Sequence, residues 1–271
     1  MASPYWIRKL INLTFGQRYR LSQMTKVAGL GRLIEWALFE DDDIMILPQD
    51  RVVPVNQTLP DPENIVAPSQ VVDHFIRSTS HIWRMDFCIC RESSGCEDYP
   101  LDLGCLFLGQ AAMGINPRFG RPVSRNEALE HAARCRDAGL VHLIGRNKLD
   151  TVWLNVGPKE NLLTICNCCP CCCLWRILPD LAPRIETKVT RMPGVRVSVT
   201  ERCVGCGTCT TDVCFVDAIQ LNHARAEISD RCRGCGRCVT TCPNGAIELK
   251  VDHSAFVQAA IDRITGAVDV S

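Results

Sequence analysis

Apolar and polar positions change rhythm several times along the chain. In residues 1–39, Trp6, Ile7, Leu10, Ile11 and, further on, Leu30, Leu33, Ile34 and Leu38 recur at helical spacing. That pattern predicts amphipathic helices, ended by the acidic run Glu40 to Asp43. Residues 47–68 hold five prolines (Pro48, Pro54, Pro60, Pro62, Pro68) and read as an extended connector, with a short strand near Val52 to Val55. A helix then starts at Ser69 and turns Val71, Val72, Phe75 and Ile76 inward. Ser124 and Glu127 form a capping box. The helix it opens runs to about Ala138, where Gly139 is placed to end it. Leu140 to Ile144 and Thr151 to Val156 read as two strands around a polar turn. Strand patterns recur at Val195 to Thr200, Ala218 to Leu221, Ala226 to Ser229 and Ala246 to Leu249. The middle two form a hairpin around Asn222-His223, and Ser254 to Ile264 reads as a terminal helix.

These elements make an α+β chain in four parts. Residues 1–46 are a basic amphipathic helical region and 47–68 the connector. Residues 69–182 are a cysteine-rich α+β module, and 183–271 a compact domain built on a cysteine repeat.

Composition changes this picture in one respect. Lys plus Arg and Asp plus Glu number 30 each, so a net charge of zero gives no general pull toward nucleic acid. The 19 cysteines are the informative number. A secreted disulfide framework needs an export signal, and Arg8 and Lys9 interrupt the only N-terminal apolar run. The expected compartment is a reducing cytoplasm, and the host an anaerobe, because so many thiolates are oxygen-sensitive. Charge also marks residues 1–39, where Arg8, Lys9, Arg18, Arg20, Lys26 and Arg32 face one acid, Glu35. Basic amphipathic helices with Trp and Leu on one face can lie on a membrane, here the inner face of the cell membrane. Packing on the protein's own body or on a partner is the competing expectation.

The cysteines carry the chemistry. Cys203, Cys206, Cys209 and Cys214 are followed by Cys232, Cys235, Cys238, Cys242 and Pro243. The second set has the C-x2-C-x2-C-x3-C-P spacing of a two-cluster ferredoxin. In such a run one loop wraps three corners of an iron–sulfur cube, and the fourth thiolate comes from the other half. The expected ligands are Cys203, Cys206, Cys209 and Cys242 for one [4Fe–4S] cluster, and Cys232, Cys235, Cys238 and Cys214 for the other. A pair of zinc knuckles is the competing reading. The first set departs from the pattern: four residues, Thr210 to Val213, precede Cys214, and Phe215 replaces proline. Ten further candidate thiolates lie upstream: Cys88, Cys90, Cys96, Cys105, Cys166, Cys168, Cys169, Cys171, Cys172 and Cys173. No simple apolar core explains six cysteines in the eight residues 166–173, and at least one further iron–sulfur cluster is expected there. Zinc and a dithiol redox site are the alternatives. Cys135 falls on the inner face of a helix and reads as core. His81, His131 and His142 are given no chemical role.

Residues 198–250 resemble bacterial-type dicluster ferredoxins. The wider chain resembles uncharacterised cysteine-rich [4Fe–4S] dicluster proteins of anaerobic bacteria and archaea. That likeness rests on Cys88-Ile89-Cys90-Arg91, Gly120-Arg121, Gly139-Leu140-Val141-His142 and the Cys166 to Cys173 run. The resemblance implies a pseudo-twofold ferredoxin-like fold and electron transfer between donor and acceptor proteins. Two further functions stand beside it. One is an oxidoreductase subunit whose central cluster, like the non-cubane clusters of heterodisulfide reductase, does thiol or disulfide chemistry. The other is a redox sensor or scaffold.

Overall fold

The computed structural model of the chain describes residues 2–52, 67–251 and 255–270. Most of the 47–68 connector lies outside the described residues, including the strand expected near Val52 to Val55 apart from Val52 itself. Three short helices come first: α1 (Trp6–Thr14), α2 (Arg18–Gln23) and α3 (Leu30–Leu38). Strand β1 (Asp43–Ile46) follows, then α4 (Ser69–Ser78), β2 (Ile82–Met85), α5 (Ile89–Ser93), β3 (Leu106–Leu108), β4 (Gly120–Pro122), α6 (Arg125–Asp137), β5 (Val141–Arg146), α7 (Lys148–Leu154) and β6 (Leu163–Cys168). The last third holds α8 (Pro183–Glu186), β7 (Val189–Arg191), β8 (Val195–Val199), β9 (Ile219–Asn222), β10 (Arg225–Ile228), α9 (Arg237–Thr241), β11 (Ile247–Val251) and α10 (Phe256–Ala267).

One seven-stranded sheet of order β4-β2-β3-β6-β5-β1-β7 organises the chain. All its pairs are antiparallel except β1 with β7. Two of its strands, β1 and β7, come from the stretches on either side of the cysteine-rich module. Side chains alternate across a strand, so each strand feeds two faces. On one face Met45, Leu106, Leu108, Ile144, Leu163 and Ile165 pack against α4, α6 and α10. The four inward residues expected of α4 are all buried. Each contributes about 1.5–3 kcal/mol, which a ten-residue helix needs because it is marginal alone. On the other face Ile44, Ile46, Leu143, Cys166 and Cys168 meet Trp175, Leu178 and Phe215. The cysteine chemistry gathers on this second face. At the β1–β5 ladder Gly145 (φ +152°) is required, since a Cβ there would lie 2.0 Å from the carbonyl oxygen of Asp43.

The capping box of α6 is formed: Ser124 Oγ accepts from the Glu127 amide (3.3 Å), and the Ser124 amide donates to Glu127 Oε2 (2.9 Å). One expected strand is corrected. Thr151 to Val156 falls mainly in helix α7, because Asn147 Oδ1 caps the Leu149 amide and Asn155, at φ +51°, ends the helix in the left-handed region. The partner of β5 is β6, with Leu143 opposite Cys166. Local capping here overrides the β-branched run Thr151-Val152.

Asp42, just before β1, is a buried carboxylate. Its Oδ1 accepts the Lys148 amide at 2.7 Å, while Oδ2 has no partner among the described residues. Burial pushes its pKa up to about 7. The folded state therefore holds a proton that the unfolded chain releases near pH 4, and stability falls as pH rises from about 4 to about 7. Asp42→Asn keeps the acceptor and removes the charge. It should gain roughly 2–4 kcal/mol at pH 8, raising Tm by about 5 °C or more. A thermal melt series that shows the same pH slope in both proteins would refute this account.

Candidate iron–sulfur and thiol sites

The C-terminal cysteines divide between two hollows. Cys203, Cys206, Cys209 and Cys242 line one, together with Leu221, Ala226 and Ile247. Cys214, Cys232, Cys235 and Cys238 line the other, with Phe215, Val216 and Ile219. Backbone amides reach the sulfurs in a matched pattern. Ala218 N donates to Cys214 Sγ and Ala246 N to Cys242 Sγ, both at 3.3 Å; Ala226 N reaches Cys203 Sγ at 3.4 Å. Gly205, at φ +68°, lets its loop approach the β9–β10 hairpin; a Cβ there would stand 2.1 Å from the Ala224 carbonyl oxygen. Within the longer stretch before Cys214, Asp212 adopts φ +54°, in the left-handed region. Phe215, in place of proline, is buried. Burial pushes the Cys232 thiol up to about 11 and raises Cys209, Cys235 and Cys238 as well. Without metal these thiols are neutral, so metal binding must release protons.

Three arginines stand near the Cys232 loop, but their charges are not equal. Arg231 Nε and Arg233 share Glu186 Oε1, at 3.0 and 3.2 Å. Arg237 has no carboxylate among the described residues: it donates to the Cys168 carbonyl oxygen, and its buried Nε has no partner.

Upstream, the ten central cysteines fall into two groups. Cys96 joins Cys169, Cys171 and Cys172, whose four Sγ atoms all lie within 4.8 Å of one another. The other six, Cys88, Cys90, Cys105, Cys166, Cys168 and Cys173, line a cavity of about 280 Å³. Strand periodicity makes the split. Cys166 and Cys168 alternate with Ile165 and Asn167 on β6, and Cys105 with Leu106 before Phe107, so these thiols share the cavity side of the sheet. The turn after Cys168 then carries Cys171 and Cys172 away, while Cys169 touches both groups, lining the cavity as well. In the chamber Cys105 and Cys166 sulfurs are 3.8 Å apart, and those of Cys168 and Cys173 3.0 Å. Phe87, Phe107, Trp153 and Trp175 wall it, and Ile11, Phe15 and Leu21 from the N-terminal helices close it.

Two buried polar groups reach this chamber. Asp150 accepts from Trp153 Nε1 (2.9 Å), Thr164 Oγ1 (2.9 Å) and Asn147 Nδ2 (2.8 Å), and burial pushes it up to about 6. Arg91 is 0% exposed and, among the described residues, has only carbonyl acceptors, those of Asn167 (2.8 Å) and Leu103, and no partner for its Nε. A buried guanidinium without a counter-ion is costly, and the groups beside this one that could carry a compensating negative charge are cysteines of the chamber lining: Cys88, Cys105, Cys168 and Cys169. A thiolate-ligated cluster is a net anion with sulfurs that accept hydrogen bonds. The residues present fit such a group.

Two histidines and one cysteine nearby are scaffold. His142 Nδ1 donates to Asn167 Oδ1 (2.8 Å), and burial holds its pKa down at about 4. His131 Nε2 donates to the Gly104 carbonyl (2.8 Å). Cys135 is fully buried beside Leu103 and Leu140, and burial raises it to about 12. Sequence reasoning placed Arg231, Arg233 and Arg237 around the Cys232 loop as charges that raise its cluster's potential, but gave Arg91 and Asp150 no role. A charged residue directly after the Cys88-Ile89-Cys90 motif was the available signal for Arg91.

One family model matches: the LdpA Fe-S cluster-binding domain, over residues 210–253. The chain carries an iron–sulfur cluster-binding domain. The matched stretch takes in Cys214, the whole second cysteine loop and Cys242; Cys203, Cys206 and Cys209 of the first hollow lie before it. No curated protein and no solved structure matches the chain.

Proposed function

We propose that this chain is an electron-transfer protein or subunit of a redox complex. Electrons would pass through two ferredoxin-type [4Fe–4S] clusters, one on Cys203, Cys206, Cys209 and Cys242, the other on Cys232, Cys235, Cys238 and Cys214. A third iron–sulfur centre would sit in the chamber. The observation that carries this reading is Arg237. It lines the second hollow and donates to the carbonyl of Cys168, a chamber cysteine, so the two sites stand back to back across one buried cation. Anaerobically purified protein should hold more than about eight iron atoms per chain, the number that two four-iron clusters account for. About eight, with no further signal on reduction, removes the third centre.

A specific observation also favours work at a membrane surface. Among the described residues, nine of the thirteen exposed large apolar side chains lie between Trp6 and Trp36. The helices therefore turn much of their apolar face outward. Lys9, Arg20, Lys26 and Arg32 are exposed beside them, while Glu35 is held by Arg184 (2.6 Å) and Lys188 (2.8 Å). The patch is thus basic and apolar together, which suits the anionic cytoplasmic leaflet at about 1 kcal/mol per basic residue. No described helix is long and apolar enough to cross a membrane. The protein should sediment with vesicles containing anionic lipid and not with neutral ones. Leu13→Glu combined with Trp36→Glu, both at exposed positions, should abolish this; equal binding by the double variant would overturn the surface assignment.

A further inference from the structure

The compact group of four thiols differs in scale from the other cysteine sites. Cys96 comes from the loop after α5, and Cys169, Cys171 and Cys172 from the turn after β6. All four sulfurs lie within 4.8 Å of one another, with Cys96 to Cys171 at 3.7 Å and Cys171 to Cys172 at 3.4 Å. A tetrahedral ion with metal–sulfur bonds of about 2.3 Å sets its sulfurs about 3.8 Å apart. An iron–sulfur cube cannot do this. Each thiolate there binds a different iron, and the body of the cube keeps the thiolates apart. The C-terminal loops supply the comparison within the same chain. Among the described residues no three of their thiols gather this closely.

We propose that Cys96, Cys169, Cys171 and Cys172 bind one metal ion, zinc, rather than a cluster. The donor set is four cysteines with no place left for water or substrate, which is the composition of a closed structural zinc site. The turn already supports such a site: the Cys172 amide donates to Cys169 Sγ at 3.3 Å. Cys169 and Cys172 are buried, and the surroundings are Leu103, Leu140 and Tyr99, with no carboxylate or imidazole in the group. Cys135, though fully buried in the same cluster of side chains, is not among the four.

The ion would bind the loop carrying Cys96 to the turn carrying Cys169, 73 residues further on by the numbering. That turn joins Cys168 to Cys173, both of which line the chamber. Zinc would therefore fix the chamber's floor without exchanging electrons. The assignment does not depend on the electron-transfer reading, since none of its four thiols is among the six assigned to the chamber centre and only Cys169 touches the chamber lining.

The test is metal analysis and zinc-edge X-ray absorption on the full chain purified without oxygen. The expected result is one zinc per chain, with a first shell of about four sulfurs at about 2.3 Å. Cys96→Ser and Cys171→Ser should each cut bound zinc more than tenfold. Iron and acid-labile sulfide should stay at the wild-type level, which also shows that the variants fold. Cys135→Ser should keep its zinc. A wild-type chain free of zinc, or a Cys96→Ser variant that loses iron and sulfide together, overturns the proposal.

Discussion

An Arg91→Met protein is expected to keep iron in its C-terminal loops and to lose it from the chamber. Arg91 is completely buried and meets no carboxylate among the described residues, only two backbone carbonyls and the surrounding thiols. A permanent cation in that position is tolerable when an anion shares the space. At an effective dielectric constant near 20, opposite unit charges 4 Å apart attract by about 4 kcal/mol. Losing that term weakens an anionic centre by about a thousandfold. Methionine fills much of the same volume, so the packing loss is modest, although the Leu103 and Asn167 carbonyls lose their donor. Arg91→Lys restores the charge but not the two-pronged reach, and should retain an intermediate amount. Iron and sulfide counts on the three proteins decide the matter. Equal counts would show that the arginine is not the counter-charge of a bound centre.

The second large effect concerns the potential of the cluster expected on the Cys232 loop. Reduction adds an electron, so a nearby cation favours the reduced form and raises the potential. Arg237→Gln removes the one arginine of this loop that has no carboxylate partner among the described residues. The potential should fall by an amount on the order of 100 mV. Arg233→Gln should move it far less, because Glu186 already offsets Arg233 and Arg231. EPR-monitored redox titration of both variants provides the check. A larger shift from Arg233 than from Arg237 would overturn the ranking. Sequence proximity alone ranks the three arginines alike; their ion pairs separate them.

Much of the fold was legible where a local signal and the tertiary structure agree. Ser124 and Glu127 announce α6 by their own hydrogen bonds, and the apolar face of α4 is the face that the core takes. Thr151 to Val156 failed because β-branched composition is a weak guide beside the caps at Asn147 and Asn155. The N-terminal periodicity revealed amphipathic helices but not which face meets solvent; only packing tells that Ile11 and Phe15 go inward while Leu10 and Leu13 do not. The central cysteines could be read from the sequence as candidate metal or redox ligands by type. Their division was not, because it depends on which side of the sheet each one faces and on a loop some 70 residues upstream. Burial of Arg91 and Arg237 has no local signature at all.

The roof of the chamber has a consequence for how the protein is made. Ile11, Phe15 and Leu21 leave the ribosome before the thiols they cover, which are complete only when Cys173 has emerged. Chains fold as their parts appear, from the N-terminus onward. Here the first segment has no seat until more than half of the chain exists. From the moment Cys173 emerges until the roof docks, the six thiols would be open to iron and sulfide. A circular permutant with α1 and α2 at the C-terminus would lengthen that open interval without changing a single ligand.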